Sequence, residues 1–376
     1  MSTATTVEDD TTTVEAPQTA DDLALRVLQS AVGAAETMAI YLGDRLGWYR
    51  SLATDGPATA GELAARTGTN ARYAREWLEQ QAVTGLLLAD GSGDAAARRF
   101  EITDAAAEAF TDERSLAYIA PLARMFAAVG PQLPALLEAY RTGGGVSWQQ
   151  LGADAREGQA DINRPWFDKL PSVFAEVDHL HRVLSAPAAR IADVGTGAGW
   201  SSIALAQAYP NLRVEGFDID EPSVQLARAN AEAAGVADRV QFHQAGGNAL
   251  EKHGPFDAAF AFECIHDMSQ PIDVLRAMRR AVSEDGLVII MDEAVGEHFG
   301  VPGAELDAVM YAFSLFVCLP DGMSHQPSVA TGTVMRPDTL RDYAQAAGFE
   351  DLTILPIEDF GFWRFYELLG RRSDAA

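Results

Sequence analysis

The sequence predicts an open, doubly wound α/β domain joined to an N-terminal winged-helix unit. Two observations carry that reading. From Ala189 onward, short apolar runs alternate with helical stretches, the rhythm of a mostly parallel sheet covered by helices on both faces. Before residue 112, two short helical segments are followed by two strand-like runs around a turn, which is the winged-helix order.

The bulk numbers bound the rest. A chain of 376 residues, 48% of them hydrophobic, has room for two domains and a sizeable core. No apolar run approaches the roughly 20 residues of a membrane span, so no membrane partner is expected. Residues 1–21 are rich in Thr, Asp and Glu, with neither a basic n-region nor an apolar h-region, and read as a disordered acidic tail. The two cysteines, Cys264 and Cys318, have no CxxC spacing. That argues against a disulfide framework or a zinc cluster and fits a reducing cytoplasm. A net charge of −26 repels phosphate backbones, so nucleic acid is not an expected partner.

Residues 22–112 form the winged-helix unit. Leu25, Leu28 and Val32 share one helix face, and Gly47 ends the segment that follows. Thr59-Ala60-Gly61-Glu62 is a capping box for a helix over 62–66 that Gly68 stops, and a second helix spans 70–81. Strands over 83–88 and 99–102 flank the turn at 90–94. The second helix carries Arg72 and Arg75, but no basic stripe surrounds them, so the module reads as a packing or dimerisation unit and not a DNA reader. Residues 113–184 are a helical connector broken at Gly143-Gly144-Gly145, a wall for a pocket to which Trp148 and Trp166 can contribute.

Residues 185–372 carry the sheet. Strands are expected at 190–194, 213–217, 240–243, 258–262, 287–291, 352–355 and 363–369, with helices between most of them. Pro222 opens one helix and Gly235 closes it. The run over 287–291 is nearly all apolar, as a buried parallel strand requires.

The chemistry begins at Asp193-Val194-Gly195-Thr196-Gly197-Ala198-Gly199, between the first of these strands and a helix. Glycines there let the backbone take positive φ and approach a ligand. The spacing is GxGxG, without the GxGxxG that seats a pyrophosphate on a helix N-terminus. Asp193 would repel a pyrophosphate and suits a cationic ligand, which disfavours a nicotinamide dehydrogenase. Asp218 ends the next strand, 25 residues after Asp193, where a carboxylate can accept both hydroxyls of a ribose.

On these residues the chain resembles a class I S-adenosylmethionine methyltransferase. It is most similar to the small-molecule O-methyltransferases, which join a winged-helix dimerisation domain to a Rossmann-like domain with a seven-stranded sheet. Within them it resembles the actinobacterial and mycobacterial winged-helix methyltransferases. The resemblance covers roughly residues 23–369. It implies a homodimer and a donor, S-adenosylmethionine, held by Gly195, Thr196, Gly197 and Gly199 with Asp193, by Asp218 with Ile219, and by Glu263. The acidic residue expected after the third strand of the sheet falls on Gly246, so Asn248 is the candidate for the adenine contact.

The same resemblance places a general base at His266, in Glu263-Cys264-Ile265-His266-Asp267, and makes Asp267 and Glu293 its catalytic companions. A neutral imidazole with a pKa of about 6.5 can take the proton of a hydroxyl acceptor. One orienting carboxylate is expected at Asp292 or Glu293; the other falls on Met335. Met310, Phe313 and Phe316 are expected to line the acceptor pocket, with His325 on a loop above it. Such a pocket suits a hydrophobic or aromatic acceptor methylated on oxygen. Methylation on carbon or nitrogen is the alternative, with His298 and His325 joining His266 around a metal as one variant, although no resident metal is expected. A regulator that senses the donor and binds DNA through residues 70–81 is the reading from a different class.

Overall fold

The computed structural model describes residues 19–370 apart from residue 92. The acidic tail lies outside them except for its last three residues. Those three belong to an ordered start: Thr19 accepts from the Asp22 backbone N–H at 3.2 Å and donates its own N–H to Asp22 at 2.9 Å. This capping box starts a helix at Ala20 that runs unbroken to Arg45.

The winged-helix order holds. Helices Ala60–Thr67 and Ala71–Val83 precede a two-stranded antiparallel wing, β1 (Leu87–Ala89) and β2 (Phe100–Ile102), with Leu87 opposite Ile102. The first wing strand is shorter than expected because Val83 still belongs to the helix; Gly85, at φ 83°, makes the exit turn. The wing's turn includes residue 92, outside the described residues. Trp77 packs 4.9 Å from Trp48 and 5.0 Å from Tyr49, which closes a small core. Arg72 on the second helix pairs with Glu76 one turn on.

Five helices fill the connector: Ala120–Val129, Leu133–Thr142, Trp148–Phe167, Leu170–Ala175 and Asp178–Leu184. Arg124, with its side chain 9% exposed, ties three elements together. It donates to Asp44 of the first helix at 2.5 and 2.9 Å and to Asp161 at 2.6 Å. Removing one partner of such a buried pair costs about 3–5 kcal/mol.

The large sheet has seven strands: β3 (Arg190–Val194), β4 (Arg213–Asp218), β5 (Val240–Gln244), β6 (Phe256–Phe262), β7 (Val282–Glu293), β8 (Asp351–Ile354) and β9 (Trp363–Leu369). Their order is β5-β4-β3-β6-β7-β9-β8, parallel except for β9, which runs antiparallel to both neighbours. β7 begins five residues before the expected strand. Its first five residues are mostly polar and not buried and pair with β6 only at Val282–Phe256, so apolar patterning shows only the rest. Each sheet face buries its own cluster, one around Phe174, Phe260 and Phe365 and the other around Phe217, Leu275 and Ile290. Each such side chain contributes about 1.5–3 kcal/mol of burial. The chain leaves β3 in one direction and β6 in the other, so a crevice opens at the carboxyl ends of these strands.

A further long helix covers the crevice. Residues Glu305–Phe313 are α-helical, Ser314–Cys318 form a π turn, and Leu319–Ser324 return to α. By length and composition alone, Ala20–Arg45 and Glu305–Ser324 are both apolar enough to cross a membrane, which the count of consecutive apolar residues did not register.

Candidate active site

The turn after β3 is built by its glycines. Gly195, Gly197 and Gly199 all have left-handed backbones, φ 69°, 51° and 79°. A Cβ at Gly195 would sit 2.7 Å from Cys264 Sγ, and one at Gly199 2.6 Å from Phe242 Cζ. Gly197 differs: nothing lies within 4 Å of its missing Cβ, so its backbone faces open cavity. Its N–H donates to Asp218 Oδ2 at 2.9 Å, which ties the turn to the end of β4.

Asp193 lies beneath this turn, 1% exposed, and does not line the cavity. One of its oxygens accepts from Ser201 and Ser202, both at 2.6 Å, and from Thr196 at 3.1 Å. Its position braces the turn from beneath. Gly199 is likewise internal. Burial raises the Asp193 carboxyl against the pull of those three hydroxyls.

Asp218 faces the cavity. Its carboxylate accepts backbone N–H groups of Gly197 and Asp220, both at 2.9 Å. Burial outweighs these bonds and pushes it up to about 6. Ile219 and Asn248 line the same end, and Asn248 Oδ1 lies 3.1 Å from where a Gly246 side chain would begin. The amide oxygen therefore occupies space that a longer residue at 246 would take.

Beyond β6, residues Ile265–Asp267 form a short 3-10 turn that buries His266 at 2% exposure. His266 Nδ1 is 2.9 Å from Asp292 Oδ1 and 3.2 Å from Glu293 Oε2, and its Nε2 is 3.3 Å from Asp267 Oδ1. The alternative between Asp292 and Glu293 thus resolves to both. Met335 is buried apolar core. Burial opposes charge on His266, but Asp292, Glu293 and Asp267 prevail and hold its pKa well above the usual imidazole value. The shift runs against the neutral imidazole expected from the sequence, because three carboxyls surround the ring. Glu293 is itself held well above the ordinary carboxyl range, first by burial, with Asp292 adding to it.

Glu263 is strained as well as buried. It has φ 53°, accepts from Asn163 Nδ2 at 2.5 Å and Gln159 Nε2 at 3.2 Å, and is pushed by burial up to about 7. Asn163, Gln159 and Arg156 went unnoticed in the sequence. Arg156 clamps Asp220 with bonds of 2.5 and 3.1 Å. The available signal is their i, i+3, i+7 spacing, a polar stripe on the connector helix that faces the sheet.

These groups line one cavity of about 720 Å³. Trp148, Trp166, Met310, Phe313 and His325 line it too, as do Asp267 and Glu293. Phe316 does not: Met310, Phe313 and Val317 share the inner helix face, and Phe316 falls outside it, half exposed. Among the described residues, the potential metal ligands around His266 are Asp267, Cys318, Asp292 and Glu293; His298 and His325 do not join them. Gly145 packs without a side chain against Pro320 and Ser324, and Asp321 accepts the Trp148 N–H at 2.7 Å, so the glycine break joins connector to covering helix.

Comparison with known proteins bears on the domains and the fold. A methyltransferase domain model matches residues 185–318, and an Rv2258c-like winged HTH domain model matches residues 34–111. Ubiquinone biosynthesis O-methyltransferase of Pseudomonas aeruginosa is 29% identical over 179 residues, 48% of this chain and 72% of that enzyme. Release factor glutamine methyltransferase of Chlorobaculum tepidum is 40% identical over 79 residues, 19% of this chain and 26% of that enzyme. Among solved structures, the mitomycin 7-O-methyltransferase MmcR shares the fold with a TM-score of 0.69 at 22% identity, over 94% of this chain and 99% of that one. Human N-acetylserotonin methyltransferase in complex with SAM does so with a TM-score of 0.61 at 18% identity, over 94% and 100%. Residues 185–318 are thus a methyltransferase domain and residues 34–111 an Rv2258c-like winged HTH domain.

Proposed function

We propose that this chain methylates a small, largely hydrophobic or aromatic acceptor on oxygen, with His266 as general base. The observation that carries the reading is the single cavity shared by Asp218 and the open Gly197 backbone at one end and by His266 at the other. The donor end suits S-adenosylmethionine. Asp218 offers carboxylate oxygens to ribose hydroxyls, Gly197 leaves room for close approach, and Ile219 and Asn248 flank the place for adenine. Glu263 offers a carboxylate near the cationic part of the donor. When bound, S-adenosylmethionine supplies an electrophilic methyl group.

The protein's part is then positioning and proton removal. Trp148, Trp166, Met310 and Phe313 exclude water and hold an apolar acceptor. Asp292 and Glu293 fix the His266 ring through Nδ1; Nε2, with Asp267 Oδ1 3.3 Å away, is the nitrogen assigned to the acceptor proton. The carboxylates raise the basicity of His266, so the pH at which the neutral base becomes available moves upward and turnover rises with pH.

The proposal includes a homodimer, supported by Leu25, Leu28 and Val32, all more than half exposed along one face of the first helix. It includes a cytoplasmic setting, supported by two cysteines that are both free. The test is a methylation assay with S-adenosylmethionine and a panel of hydroxylated aromatic compounds. His266→Ala should abolish turnover and retain binding of S-adenosylhomocysteine; an unchanged rate with an active acceptor rejects the role of His266.

A further inference from the structure

A second cluster of ligand-type side chains lies on the opposite side of β4 from the His266 chemistry. Glu215 is on β4, His243 on β5, and His253 follows the short 3-10 segment Gly247–Lys252. His253 Nδ1 is 3.0 Å and His243 Nε2 3.2 Å from the same oxygen, Glu215 Oε2. The two imidazole centroids are 4.4 Å apart. We propose that Glu215, His243 and His253 bind one divalent transition-metal ion of the zinc class.

Five features support the assignment. A tetrahedral ion with bonds of about 2.0–2.1 Å needs ligand atoms about 3.3 Å apart, close to the spacings present. His243 Nε2 is buried and has no hydrogen-bond partner, although it lies 3.2 Å from Glu215 Oε2. The other Glu215 oxygen is held by Arg190 at 2.7 Å, the outer-sphere bond that orients a ligating carboxylate. Phe217 packs against both rings, at 4.9 and 5.2 Å, and forms the apolar wall of the site. The side chains are 17–32% exposed, which gives an ion an entry path and water a place as fourth ligand.

A metal requires a neutral imidazole and an ionised carboxylate. Two nitrogens and one oxygen favour zinc, cobalt(II), nickel or copper(II) over magnesium or calcium. The ion clasps both ends of residues 244–252 onto β4.

The experiment uses the full chain, stripped with a chelator and titrated with cobalt(II), with zinc then added as competitor. The expected result is a tetrahedral visible spectrum that saturates at one ion per chain, shows no thiolate charge-transfer band and disappears as zinc displaces cobalt. Zinc should raise the melting temperature of the wild-type chain and leave that of a His243→Ala/His253→Ala variant unmoved. A visible spectrum that never develops overturns the proposal. So does a thiolate band, which places the ion at His266, Asp267 and Cys318, and so does an unchanged spectrum in the double variant.

Discussion

Asp218 gives the sharpest test of the donor site. Its carboxyl is held at about 6 in the free protein because burial outweighs two backbone hydrogen bonds. Ribose hydroxyls donate to the ionised form, so binding competes with a proton. With a pKa near 6, about 90% of the sites are ionised at pH 7 and about 10% at pH 5. Affinity for S-adenosylhomocysteine should therefore fall about tenfold over that interval, about 1.4 kcal/mol. The sign for folding is opposite. A carboxyl raised above its unfolded value binds more protons in the native state, so this group adds stability as pH falls through 6 toward 4. Lost affinity at pH 5 is then not acid unfolding at this residue. Asp218→Ala should weaken binding by about 10- to 150-fold, the worth of one charge-assisted hydrogen bond at about 1.5–3 kcal/mol, and should flatten the pH dependence. The assay is calorimetric titration of both proteins at pH 5, 6 and 7. A wild-type affinity independent of pH, or the same slope in the variant, refutes the reasoning; Glu263, pushed up to about 7 in the same cavity, would then be the titrating group to examine.

Other consequences can be checked directly. The rate with an active acceptor should rise with pH along a limb displaced above the usual imidazole value, and Asp292→Asn should move that limb to lower pH by removing the carboxylate that raises His266 most; a profile unmoved by the substitution counts against His266 as the titrating base. Gly199→Ala combines a left-handed backbone, about 1–2 kcal/mol, with a Cβ 2.6 Å from Phe242, about 1–3 kcal/mol of overpacking. Urea unfolding should show a loss of about 2–5 kcal/mol, partly restored by Phe242→Leu. Asp44→Ala leaves the buried Arg124 with half its partners and should cost about 3–5 kcal/mol in the same measurement.

The fold was legible where local chemistry and tertiary context agree. Apolar runs gave the buried strands β3 and β6, and the capping box at Thr59 gave its helix to within two residues. The glycine turn was legible because three left-handed positions in seven residues have few other uses. What was not legible depended on direction. Asp193 stands in the motif, yet strand alternation and three nearby hydroxyls turn it under the turn. Phe316 sits in an aromatic run, but a π turn and helical periodicity send it outward. The upward shift of His266 was not legible either, because it arises from Asp292 and Glu293, side by side 26 and 27 residues away and gathered only by the pairing of β6 with β7. Arg156, Gln159 and Asn163 carried a spacing signal that mattered only once their helix was known to face the crevice.

The central claim is that donor and base share one cavity across the carboxyl ends of β3, β4 and β6. A crystal structure with S-adenosylhomocysteine tests it most directly. The account predicts ribose hydroxyls on Asp218, the ligand backbone passing over Gly197, and the sulfur directed along the cavity toward His266. A ligand bound elsewhere, or a sulfur turned away from His266 with the acceptor space walled off, would contradict it.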